Sequence, residues 1–225
     1  MARVGDGVGL IETIRVRGGR IPWLERHLGR LKASLAVLGL PGPSEDLAVL
    51  ARAAAGGAGG DRVVRLEVRK GATEVTTRAV GVHPSPVVVV SDEPHAPYSH
   101  KTTAREQFGR AFAAARRMGA DDALLLTQAG YVAEGTVWNL FWWEGTGNGL
   151  CTPATELGVL PGIGRGRVIE LATVREVRAK VSELAGRSLF LVNAVRGIVE
   201  IGTFHGSAVL KDPRTAELSR RFWPD

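Results

Sequence analysis

Five leucines, Leu24, Leu28, Leu31, Leu35 and Leu38, recur at spacings of 4, 3, 4 and 3. A helix brings such a series onto one face, and that face must be buried against another element. The spacing predicts a helix over about Leu24 to Leu38, stopped by Gly39 and Pro41. Before it, GLIETIRVR (9–17) reads as a strand, Gly18-Gly19 as a hairpin turn and Ile21 to Trp23 as the returning arm. After it, Ser44, with Glu45 and Asp46 behind, is expected to cap a second helix running through LAVLARAAA to Gly56-Gly57. Val63 to Lys70 and Thr73 to Val82 look like paired strands around Gly71, so this half is α+β.

His83-Pro84-Ser85-Pro86 breaks the pattern and is the candidate linker. Beyond it, Val87 to Val90 reads as a buried strand, and Phe108 to Met118 as a helix stopped by Gly119. Ala123–Thr127, Tyr131–Ala133, Asn139–Trp143, Leu150–Thr152, Leu189–Ala194 and Ile198–Thr203 read as strands. Gly164 to Thr173 reads as a helix, and Asp212-Pro213 sets an N-cap and a proline at N1 for a last one. The expectation is an α/β (α+β) protein with a small N-terminal lobe over 1–84 and a larger lobe over 87–225.

Apolar residues at 44% and charged residues at 23% describe a folded chain rather than a disordered one. No uncharged apolar run approaches the roughly 18–20 residues that span a membrane. The N-terminus MARVGDGVGLIETIR lacks a signal-peptide apolar block, so a cytoplasmic protein is expected. The single cysteine, Cys151, excludes an intrachain disulfide and a cysteine-cluster metal site, and the histidines lack metal-ligand spacing. The net charge of +6 would suit nucleic acid, but the 24 arginines are scattered without a basic run or aromatic interleaving, so no nucleic-acid partner is expected. Only five basic residues are lysines, which draws attention to each, because a lysine amine does chemistry that arginine cannot.

Lys101 lies in YSHKTTAR between a strand and a helix, as a solvated loop residue or as a Schiff-base lysine. Glu134 interrupts the apolar stretch GYVAEGTVWNLFWW, so it is either at a hairpin edge or paired, for instance with a protonated heterocycle nitrogen. LPGIGRGRVIELA puts glycines at a helix start, where open N–H groups suit a phosphate. Arg30 shares a helical stripe with His27 and Ser34, as a solvated face or as a fork onto a phosphate. NAVRG (193–197) follows the apolar strand LFLV, as a plain turn or as a strand-end site.

The order of these features resembles the fold-type IV (class IV) pyridoxal-phosphate enzymes, which include branched-chain and D-amino acid aminotransferases and 4-amino-4-deoxychorismate lyases. The matching stretches are GLIETIRVRGGRIPWLERHLGRL, HKTTAR, GYVAEGTVWNLF, TPATELGVLPGIGRGRVIELA and FLVNAVRGIVEI, in family order from about 7 to 206. The resemblance implies two lobes, the larger with a barrel-like β core, a pyridoxal 5'-phosphate cofactor between them, and a homodimer. It makes Lys101 the lysine that carries the cofactor, Arg30 the phosphate-binding arginine and Glu134 the carboxylate facing the pyridine nitrogen. It puts Ile163, Gly164 and Ala194 on the phosphate side. HKTTAR and LVNAVRG look more like the lyase branch, which releases pyruvate and leaves 4-aminobenzoate for folate synthesis. In that branch Thr13 and Arg105 are candidate substrate contacts, and His100, beside Lys101, is a candidate contact to the cofactor or the substrate. The other readings are a transaminase for branched-chain or D-amino acids or amines, and a non-catalytic PLP-fold binding protein. Gly164 stands where the family usually has threonine, and Ala194 where transaminases often do.

Overall fold

The computed structural model describes residues 7–56, 60–81, 85–145, 147 and 149–224. His83 and Pro84, the first half of the expected linker, lie outside them. The chain divides into two compact units, Met1–Gly81 with His100–Ala104, and Val82–Ser99 with Arg105–Asp225.

In the first unit, β1 (Leu10–Val16), β2 (Arg62–Arg69) and β3 (Ala72–Ala79) form an antiparallel sheet in that order. The leucine stripe forms α1 (Leu24–Leu38), and α2 (Leu47–Ala55) follows. Leu24, Leu31 and Leu35 of α1 are buried, packing with Leu10, Ile14 and Val16 of β1 and Val64, Leu66 and Val68 of β2. The helices thus cover one sheet face, chosen by the alternation of β1 and β2.

Two local expectations change. Asp46, not Ser44, caps α2, its carboxylate accepting the N–H groups of Ala48 and Val49. Ile21–Trp23 forms no returning strand: the hairpin closes on the single bridge Arg17 to Arg20, and Trp23 takes a left-handed conformation at the start of α1. Lys70 and Gly71, both at positive φ, close the β2–β3 hairpin as a two-residue turn. The segment at 100–104 joins this unit through Ile11 N–H to the Lys101 carbonyl (2.8 Å) and Thr103 N–H to the Gly9 carbonyl (2.9 Å).

The second unit has two five-stranded sheets. One contains β4 (Val87–His95), β5 (Asp122–Thr127), β6 (Val132–Gly135), β12 (Thr203–Phe204) and β13 (Ser207–Ala208), in the order β13-β12-β4-β5-β6. The other contains β7 (Asn139–Glu144), β8 (Gly149–Pro153), β9 (Val174–Val177), β10 (Ser188–Asn193) and β11 (Gly197–Glu200), in the order β11-β10-β7-β8-β9. Val88, Leu124 and Val132 from the first meet Leu140, Trp142, Leu189 and Leu191 from the second in one core, the half-barrel arrangement. Strand β5 is buried on both faces. Leu124 enters that core, while Ala123 and Leu125 pack against Phe108, Ala111 and Ala115 of α3 (Glu106–Arg117). Such double burial fits a strand paired in parallel with β4.

Helix α4 (Ile163–Leu171) ends two residues before the span expected from sequence, and α5 (Pro213–Phe222) follows its Asp212 cap. Strand β9, absent from the sequence reading, pairs in parallel with β8 through the mixed polar run VREV. Among the described residues, no helix is long and apolar enough to cross a membrane. No cluster of three or more His, Cys, Asp or Glu that could hold a metal occurs among them either.

Candidate active site

The expected site residues fall into two sets, one on each unit. In the first unit, Arg30 does not lie on a solvated helix face. His27 and Ser34, one turn before and after it, are buried. His27 and Arg30 face Glu12, the polar member of the inward series Leu10, Glu12, Ile14, Val16. Arg30 forks onto Glu12, with Nε donating to Oε1 at 2.8 Å and Nη2 to Oε2 at 2.6 Å. His27 Nδ1 lies 2.6 Å from Glu12 Oε2.

Burial alone would raise the Glu12 carboxyl. The charge of Arg30 and the hydrogen bonds from His27 and Arg30 outweigh it and hold the pKa at about 2. Burial lowers His27 despite Glu12, so the ring is neutral and donates through Nδ1, while its buried Nε2 has no hydrogen-bond partner among the described residues.

Lys101 is half-buried in the 100–104 segment beside the start of β1, and its field reaches His27, whose pKa it helps to lower. His100 Nδ1 lies 3.0 Å from Ser34 Oγ, which ties the residue before Lys101 to α1. Thr13 is half-buried opposite Arg65, on the sheet face away from Glu12.

In the second unit, Glu134 on β6 is 4% exposed, so the hairpin-edge alternative does not hold. Its Oε1 accepts the Leu160 N–H at 3.1 Å and faces His95 Nε2 at 3.1 Å. The Leu160 carbonyl accepts Asn139 Nδ2 at 2.9 Å and the Gly162 N–H at 2.8 Å. One loop therefore fixes both the carboxylate and the start of α4.

That helix start carries no side-chain cap. A Cβ on Gly164 would lie 2.7 Å from the Asn193 carbonyl carbon and 3.1 Å from the Ala194 nitrogen. Only glycine lets Ile163 and Gly164 come so close to the Asn193–Ala194 turn. The turn is held by Asn193 Oδ1, which accepts the N–H groups of Val195 (3.0 Å) and Arg196 (2.8 Å). Three of the expected phosphate-side residues are thus brought together.

Arg105 is turned onto the loop after Glu134. Nη2 donates to the Thr136 carbonyl, Nη1 to the Tyr98 hydroxyl at 3.1 Å, and the guanidinium lies 4.7 Å above Phe108. Thr136 is also held by Asp122, which accepts its N–H and its hydroxyl. Burial raises the Asp122 carboxyl, against hydrogen bonds from Thr136, Ala123 and Trp138.

Sequence reasoning missed Glu12, His95, Asn139 and Asp122 as parts of this framework. The parity of Leu10, Glu12, Ile14 and Val16 was a usable signal for Glu12. No local pattern marks His95, whose partner is 39 residues away.

The family model for amino-transferase class IV matches residues 9–203. No curated protein matches the chain. Among solved structures, a fold IV transaminase from Curtobacterium pusillum is 27% identical, with a TM-score of 0.81, over 96% of this chain and 85% of that one. A protein assigned as a 4-amino-4-deoxychorismate lyase from Legionella pneumophila is 25% identical, with a TM-score of 0.78, over 94% and 89%. The branched-chain aminotransferase of Thermoproteus uzoniensis shares the fold at 23% identity and a TM-score of 0.86, over 95% and 84%.

Two expectations follow from this geometry. Glu12 titrates at about 2 folded against an ordinary 4.5, so its stabilisation is complete above pH 4.5 and is lost as pH falls toward 2. His27, lowered from 6.5, also favours the folded state less as acid charges the unfolded ring. Urea unfolding should show Glu12→Gln destabilised by about 3 kcal/mol at pH 7. That gap should close between pH 4.5 and 2; a gap constant with pH would contradict the pairing. Gly164→Ala should cost about 1–3 kcal/mol by forcing the helix start off the Asn193 backbone, read as a lowered thermal midpoint. An unchanged midpoint would contradict the contact.

Proposed function

The chain belongs to the amino-transferase class IV family, whose members are pyridoxal 5'-phosphate-dependent enzymes, and from that premise we propose a lyase that eliminates pyruvate from 4-amino-4-deoxychorismate. The product would be 4-aminobenzoate for folate synthesis, made by a cytoplasmic homodimer.

The residues present fit the cofactor. Glycine at 164 keeps the uncapped start of α4 against the Ala194 turn, where a Cβ would intrude. Open N–H groups at a helix start suit a phosphate. Ile163, Gly164 and Ala194 would hold it there through backbone N–H groups. Arg30 would supply the positive charge, its fork fixed by Glu12. Glu134 would face the pyridine nitrogen, and among the described residues both of its hydrogen bonds fall on Oε1, which leaves Oε2 for that contact. Lys101 would carry the cofactor through Nζ.

When bound, the cofactor supplies an electron sink for the carbon that bears the substrate amino group. Lys101 Nζ would take the proton from that carbon. Arg30 and the α4 start would hold the phosphate and Glu134 the ring nitrogen, which would orient the cofactor for the proton transfer. Thr13, His100 and Arg105 remain the proposed substrate contacts. Arg105 also braces the Thr136 loop.

The observation that carries the lyase reading is the spelling of two segments, HKTTAR at 100–105 and LVNAVRG at 191–197. A transaminase is the second reading, favoured by the 27% identity to the Curtobacterium pusillum enzyme. A coupled pyruvate assay on aminodeoxychorismate, run beside amino-acid and 2-oxoglutarate half-reactions, separates them. The lyase reading expects pyruvate release without amino transfer, abolished in Lys101→Ala. Amino transfer without pyruvate release would overturn it.

A further inference from the structure

We propose that His95 is the positioning residue for Glu134, and through it keeps the pyridine nitrogen of the bound cofactor protonated; the proposal rests on the cofactor reading above.

His95 closes β4, just beyond an irregularity between Val90 and Pro94 where the register with β5 shifts. Such a break re-aims the residues that follow it. The His95 side chain is fully buried, with its ring set edge-on to Phe108 at 6.2 Å. Nε2 lies 3.1 Å from Glu134 Oε1, and Nδ1 is buried without a hydrogen-bond partner among the described residues.

These facts decide where the proton sits. The Leu160 N–H can only donate, so Oε1 is an acceptor. With Glu134 ionised, as its pairing with a protonated ring nitrogen requires, the hydrogen between His95 and Oε1 is on Nε2, and Nδ1 is bare. A second proton would put a buried N–H at Nδ1 with nothing to accept it. His95 therefore orients the carboxylate as a neutral donor and brings no positive charge to compete for it. Glu12 differs, since there an arginine sits on the carboxylate as well. The negative charge of Glu134 stays available to a protonated ring nitrogen, and a nearby opposite charge favours that charged form.

The test uses holoenzyme reconstituted with pyridoxal phosphate labelled with 15N in the ring, in wild type, His95→Gln, His95→Asn and His95→Leu. The Gln amide can reach Glu134 from the backbone position of His95; the Asn amide falls short. Wild type and His95→Gln should give the 15N shift of a protonated ring. His95→Asn and His95→Leu should move toward the neutral-ring shift and release cofactor about tenfold faster on dilution. If His95→Leu fails to fold, the Gln and Asn pair gives the same comparison. A protonated ring and wild-type retention in His95→Asn would overturn the proposal while leaving the cofactor reading intact. Wild-type protein that takes up no cofactor would overturn both.

Discussion

A carboxylate removed from water must be given donors, and two buried carboxylates organise this protein. Glu12 is met by Arg30 and His27, Glu134 by His95 and the Leu160 N–H. An unpaired buried charge would cost several kcal/mol. The donors are therefore constraints on the surrounding backbone as well as partners. Glu12 fixes the rotation of α1 over β1. Glu134 fixes the loop that ends at the start of α4, and the same loop is fixed again by Asn139. The proposed chemistry uses the two carboxylates differently. An arginine shares the charge of the first, whereas a neutral ring orients the second.

Much of the scaffold was legible because it is local. The leucine stripe marked α1 with both ends in place, and Asp212-Pro213 marked the start of α5. The glycines around 162–164 pointed to an open helix start. What failed was what depends on distant partners. Strand β9 has no alternating pattern and exists because β8 offers it a parallel edge. Ser44 and Asp46 are both good caps, and only the actual phase of the first turn of α2 decides between them. The Lys101 segment reads as a polar loop, yet its backbone pairs with the start of β1, some ninety residues earlier.

The same division holds among the site residues. Arg30, Lys101 and Glu134, the proposed cofactor contacts, were singled out from their motifs. The stripe of His27, Arg30 and Ser34 was visible, but its burial was not, because His27 and Arg30 depend on Glu12 across 15 to 18 residues and Ser34 meets His100 across 66. His95 was read only as a histidine without metal-ligand spacing. The arginine bias also takes on a physical meaning. Arg105 braces the Thr136 loop, and buried Arg165 joins the Pro153 carbonyl to Glu176. A planar fork with several donors suits such tasks. The net charge of +6 is therefore partly a by-product of arginines used as internal braces.

The central claim is that one lysine of five carries the cofactor. Purified protein reconstituted with pyridoxal phosphate would be reduced with borohydride, digested and read by mass spectrometry. The account expects one cofactor adduct, on the peptide containing Lys101. An adduct on Lys32, Lys70, Lys180 or Lys211 instead, or none on any lysine, would contradict it.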